Sequence, residues 1–193
     1  MTTRIEGNRT HLGFIEAVGD CIAPVLSAEG FACTEATPYV VRFESANVFL
    51  TVYHDRLSYE LEVTLALKVD PSRNYTLRDM LDTVLGPLHE PQYFFQASDS
   101  DRVVSCLKTM SELIRKYCCD ALTGKLSFYQ RMEEVRQVRA ETLTRSIVKA
   151  PICKAAQEAW QRHDYAKVRT LYESIEADLA PLERRRLKYA QDH

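Results

Sequence analysis

The spacing of apolar residues switches from helical to alternating near residue 31 and returns to helical near residue 76, and this double switch limits the chain to a mixed fold. From Thr10 to Glu29, Leu12, Phe14, Ile15, Val18, Ile22, Val25 and Leu26 recur at helical spacing, and Gly30 supplies a stop. Pro24 lies inside that pattern and predicts a kink, or a late helix start near Asp20, because proline lacks the backbone donor. Phe31–Thr34, Tyr39–Glu44, Asn47–Tyr53 and Tyr59–Val69 are rich in Val, Phe, Tyr and Thr, and short turn-like segments separate them. They predict four strands in an antiparallel meander. In the last, Leu61, Val63, Leu65 and Leu67 share one face while Glu60, Glu62, Thr64 and Lys68 take the other.

After a turn at Asp70-Pro71-Ser72-Arg73-Asn74, Thr76 caps a short helix that Gly86-Pro87 ends. Residues 87–99 read as a loop whose Tyr93-Phe94-Phe95 cluster is expected to plug the core. From Ser100 the pattern is helical: a first segment with its stripe from Val103 to Tyr117, a second and more polar one from Leu126 to Val148, and a third opened by Pro151 and reaching Arg162. The expected architecture is α+β, with an N-terminal helix and later helices on one face of a four-stranded antiparallel meander sheet. It continues into an all-helical C-terminal region, with a sheet domain over 1–123 and helices over 124–193.

The formal net charge is −2. Residues 1–101 hold 15 Asp/Glu against 7 Lys/Arg and residues 102–193 hold 12 against 18, so the halves are net −8 and net +6. That asymmetry suits an acidic face for a basic partner, a basic tail for an acidic one, or internal complementarity. No stretch approaches the roughly 18 apolar residues of a membrane span, and Met1–Arg9 lacks the apolar core of a secretion signal, so a cytoplasmic location is expected. The six cysteines, with Cys21, Cys33, Cys106 and Cys153 set among apolar neighbours and Cys118 beside Cys119, read as free thiols of a reducing compartment.

Motifs for chemistry are sparse. The chain carries no GxxxxGK[ST], GxGxxG, HExxH, GxSxG or CxxC. An enzyme reading would rest on His54-Asp55-Arg56, with His54 as base and Cys33 or Ser58 as nucleophile, although the tripeptide reads first as a hairpin turn. His89 and Glu90 flank a proline loop, His163 sits at a helix turn, and His11 and His193 lie near the ends, so no metal is expected. Arg184-Arg185-Arg186, Lys188, Arg162, Lys167 and Arg169 make the tail basic, and Tyr165, Tyr172 and Tyr189 could stack on bases. Asp164, Glu173, Glu176, Asp178 and Glu183 interleave with them, which argues against a one-sided field for nucleic acid. Pairing of two copies through 126–148 would make the chain oligomeric.

Two resemblances add expectations. Ala159-Trp160, His163-Asp164-Tyr165, Val168, Leu171-Tyr172, Ile175 and Pro181 resemble a single tetratricopeptide-like helical hairpin over roughly 155–190, with His163 in place of the usual glycine and Val168 and Ile175 in place of alanine. A lone unit of that kind forms no peptide groove, because such repeats bury their faces against neighbours. Tyr39 to Ser45, Val48-Phe49-Leu50, Asp55-Arg56, Tyr59-Glu60-Leu61 and Tyr75-Thr76-Leu77 resemble small bacterial proteins of the toxin-immunity type. The resemblance implies a protein that binds one cognate toxin and occludes it, with an acidic surface facing a basic partner; with the motifs for chemistry missing, neither catalytic activity nor a cofactor is expected. Glu44, Asp55, Glu60, Glu62, Asp79 and Asp82 are the candidate residues of that surface.

Overall fold

A computed structural model describes residues 12–86 and 94–193. Met1–Arg9, His11, His89, Glu90 and Tyr93 therefore lie outside the described residues. The chain forms two compact units that divide after Arg136, thirteen residues beyond the boundary expected from sequence. Phe128, Tyr129 and Met132 explain the shift: they are buried in the core of the first unit, so the chain stays with the sheet until that face is filled.

In the first unit the N-terminal helical pattern is divided into α1 (Phe14–Cys21) and α2 (Ala23–Ala28). Pro24 falls in the first turn of α2, where its missing donor breaks no intrahelical bond. The sheet is a meander of β1 (Ala32–Ala36), β2 (Val40–Glu44), β3 (Val48–His54), β4 (Leu61–Leu67) and β5 (Asp70–Thr76), every neighbouring pair antiparallel. It has five strands, not four. The chain reverses at Lys68-Val69, between the paired residues Leu67 and Asp70, and the supposed turn Asp70–Asn74 runs along the sheet edge. An edge strand has one row of backbone donors facing no neighbour, so Pro71 is tolerated there, and exposed edge residues share the composition of a turn.

Register separates the faces as the alternation predicts. Val41, Val52 and Val63 form one cross-strand row and Phe43, Leu50 and Leu65 another, all buried. The opposite face carries the rows Val40–Tyr53–Glu62, Arg42–Thr51–Thr64 and Glu44–Phe49–Ala66. A slip of one residue would exchange the faces, and with about 1.5–3 kcal/mol for each large apolar side chain buried, the register is strongly fixed. Phe14, Val18, Ile22 and Leu26 from α1 to α2 and Leu107, Met110 and Ile114 from α4 (Ser100–Tyr117) complete the core with α5 (Cys119–Leu122). Phe95 packs against that core, whereas Phe94 is 61% exposed, so only part of the aromatic cluster plugs it.

Thr76 caps α3 (Leu77–Leu85) as expected: its hydroxyl accepts from Asp79 N, and the Asp79 carboxylate accepts from Thr76 N at 2.8 Å. Gly86, at φ 96°, ends the helix in a conformation few other residues adopt.

From Leu126 to Gln161 the chain is one helix, α6, rather than two. Pro151 lies inside it and withholds the donor that would meet the Ile147 carbonyl. Ile147 is exposed, and between Gln137 and Val148 every residue but Arg139 is exposed, so water can take the donor's place. The second unit packs the end of α6 with α7 (Tyr165–Glu173) and α8 (Pro181–Gln191) around Ala156, Ala159, Val168, Tyr172, Leu179 and Leu187. His163 adopts φ 61° at the turn and Asp164 caps α7 by accepting from Lys167 N at 3.1 Å. Lys149 ties α6 to α8 through Glu183 at 3.0 Å, and Glu183 also accepts from Ala180 N.

Candidate functional site

The polar face of the sheet carries a groove at the corner where β3 passes into β4. Six residues, Asp55 to Glu60, make that connection, and Asp55 organises it: its Oδ1 accepts from Leu57 N at 2.8 Å, Ser58 N at 2.7 Å and Ser58 Oγ at 2.8 Å. A short acceptor that reaches the backbone two and three residues on is the local turn chemistry of aspartate. Those bonds hold the Asp55 carboxyl down to about 2. Tyr59 then adopts φ 59°. The segment after Phe94 braces the loop: Leu61 N donates to the Phe95 carbonyl, Ala97 N to the Tyr59 carbonyl, and the Gln96 amide to the Ser58 carbonyl.

The corner encloses a groove of about 560 Å³ lined by Tyr39, Val40, Tyr53, His54, Asp55, Arg56, Ser58, Glu60 and Glu62. Tyr53 and Glu62 are register partners, and Glu60 lies two residues before Glu62. Burial raises the Glu62 pKa, and the charges of Glu60 and Asp79 raise it further. Among the described residues neither Glu60 nor Glu62 forms an ion pair. The Arg56 guanidinium lies over the Tyr39 ring, 4.1 Å from its centre.

Three of the six candidate carboxylates, Asp55, Glu60 and Glu62, thus meet in one groove. Glu44 stands in a different row of the same face, four residues along β2 from Val40 or about 13 Å, paired with Lys68 at 3.1 Å and accepting from the Thr34 hydroxyl. Asp79 and Asp82 are buried on α3. Arg136 meets Asp79 at 2.9 Å and Arg78 meets Asp82 at 3.6 Å, so both carboxylates serve the fold.

His54 turns toward the core, where its ring packs 5.5 Å from Phe14 and Nε2 shares a 2.9 Å hydrogen bond with the Ala97 carbonyl. Ser58 spends its hydroxyl proton on Asp55. Cys33 is exposed on β1 opposite Phe43, whose other partner Leu50 is four residues from His54, or about 13 Å along β3. All six cysteines are free thiols, and burial pushes Cys118 up to about 12. Among the described residues no group of three His, Cys, Asp or Glu could hold a metal, and no helix is long and apolar enough to cross a membrane.

No known family matches this chain. Comparison with curated proteins and with solved structures likewise finds no significant match. The groove is therefore interpreted from its own residues. Sequence reasoning missed Tyr39, Tyr53 and Arg56. Alternation places Tyr53 on the polar face, but only the register that sets Val40 and Glu62 beside it brings these residues to one place.

Proposed function

We propose that the chain is a protein-binding protein that works by occlusion, and that the groove at the β3–β4 corner receives a basic segment of its partner. Convergence carries this reading: two carboxylates without an ion pair among the described residues face two tyrosines in one concavity. Tyrosines bury much area with little loss of side-chain freedom, which suits the centre of an interface. Carboxylates without internal cations attract a basic partner over distance, accelerating encounter more than they tighten the final complex. A cation brought between Glu60 and Glu62 relieves their mutual repulsion, and part of the binding energy comes from that relief.

Inhibition of a cognate bacterial toxin is the sharpest form of this proposal, because the resemblance to toxin-immunity proteins and the acidic corner ask for the same basic partner. The test places a photo-crosslinking side chain at position 53 of the full chain in its native cells, identifies the adduct, and assays the captured protein's own activity with added chain. The wild type is expected to inhibit that activity and Glu60→Lys/Glu62→Lys to fail. Inhibition that survives the double charge reversal, or turnover of a substrate by the isolated chain, would overturn the proposal.

A further inference from the structure

The groove already contains a guanidinium. Arg56 belongs to the exposed β3–β4 loop and reaches back to the start of β2, where its Cζ lies 4.1 Å from the centre of the Tyr39 ring. Among the described residues no carboxylate holds it in an ion pair. The ring face therefore holds it, aided by the field of Glu60 and Glu62 from the same groove. Tyr39 is half-buried and Arg56 exposed, and a cation over a ring that solvent still reaches gains about two- to fivefold in occupancy, so this contact is readily exchanged.

The surroundings suit guanidinium better than ammonium. A guanidinium is planar, stacks flat on a tyrosine and still points donors sideways at carboxylates, whereas an ammonium is a strongly hydrated point charge. Tyr39 supplies the face, and Glu60 and Glu62 supply acceptors in the same groove. The loop backbone is pinned by the Asp55 turn and by Gln96 on the Ser58 carbonyl, so Arg56 can leave Tyr39 by side-chain rotation alone, without rebuilding the loop.

Resting on the reading of this groove as the site for a basic partner, we infer that the side chain it takes is an arginine, and that Arg56 is a self-occupant which the partner's arginine displaces from Tyr39. The apparent affinity is then lowered by the fraction of time that Arg56 covers the ring. Arg56 thereby screens out weak basic contacts while a partner that presents a well-placed guanidinium enters.

Fluorescence anisotropy of the full chain with labelled octa-arginine and octa-lysine peptides tests this, each variant first checked for an unchanged circular dichroism spectrum. The wild type should bind octa-arginine at least about threefold more tightly than octa-lysine. Arg56→Ala should tighten octa-arginine binding by about threefold, and that gain should vanish in a Tyr39→Leu background, because the ring is what Arg56 and the peptide share. A gain that persists without Tyr39 reports only the removal of a positive charge and overturns self-occupancy. So does unchanged or weaker binding by Arg56→Ala, and equal binding of the two peptides overturns the selection of arginine. Glu60→Gln/Glu62→Gln separates the levels: if it leaves octa-arginine binding intact, the groove itself is not the site and both readings fall. If it abolishes binding while Arg56→Ala has no effect, only self-occupancy falls.

Discussion

At the start of α3, Asp79 is buried with Arg136 at 2.9 Å and with the Thr76 backbone and hydroxyl on its Oδ2. At the β3–β4 corner, Glu60 and Glu62 share a groove with two tyrosines and form no ion pair among the described residues. The same residue type thus serves two ends. A carboxylate taken out of water inside the fold needs a cation and donors of its own, since an unmet buried charge costs several kcal/mol. A carboxylate half-buried on an open face can stay charged with its repulsion unrelieved, and a partner's cation can then supply the relief. What separates the two groups is the counter-charge: Arg136 of α6 supplies it to Asp79, whereas among the described residues no cation pairs with Glu60 or Glu62.

The largest expected effect tests the internal group. Arg136→Ala removes the cation 2.9 Å from Asp79 and also the guanidinium over the Tyr75 ring, so urea denaturation should show a loss of about 3 kcal/mol, at the low end for a buried pair because Arg136 is itself partly exposed. Glu60→Gln/Glu62→Gln should shift stability by about 0.5 kcal/mol or less, in either direction, while sharply weakening a basic ligand. Equal destabilisation by both changes would erase the comparison.

Next in size, the groove should respond to pH. The Glu62 pKa is raised in the free chain by burial and by Glu60 and Asp79. A bound cation favours the ionised form, so affinity for a basic peptide should rise as pH rises through the raised Glu62 value and flatten above it. Affinity that falls over that range would contradict an acidic receptor. Asp55 behaves oppositely, because its pKa is lowered to about 2 by turn bonds made to the charged form. Its contribution to stability is fully present above the ordinary carboxylate range and is lost as pH falls toward 2. Asp55→Ala should lower the thermal midpoint by less than Arg136→Ala and should remove that acid-range dependence.

The smallest effect lies in the second unit. His163 occupies a left-handed turn at φ 61°, where glycine carries no strain, and its exposed ring meets Tyr165 through an edge-on ring contact and through Nδ1, 2.9 Å from the hydroxyl. His163→Gly should stabilise the chain by about 0.5–1 kcal/mol in denaturation and leave peptide binding at the corner unchanged.

The sequence carried most of the fold because alternation and helical spacing are local signals. Leu61, Val63, Leu65 and Leu67 fall on the core face and Thr76 opens α3, as their pattern requires. The fifth strand escaped because Asp70–Asn74 owes its strand conformation to an edge position beside β4, while its composition belongs equally to a turn. The continuous α6 escaped because Pro151 usually opens or breaks a helix, and its tolerance depends on an exposure that only tertiary structure sets. Three of the six candidate carboxylates line one groove and three do not. Carboxylates can be picked out by type, but whether one ends beside Arg136 or beside Tyr53 depends on contacts between residues far apart in the chain.

Amide chemical-shift mapping by NMR of the full chain titrated with octa-arginine locates the surface that takes a basic ligand. An acidic receptor at the corner requires perturbations confined to Tyr39–Val40, Tyr53–Glu62 and the bracing residues Phe95–Ala97, with α3 and the second unit unmoved. Perturbations centred on α3 or on α7 and α8, with the corner silent, would contradict it.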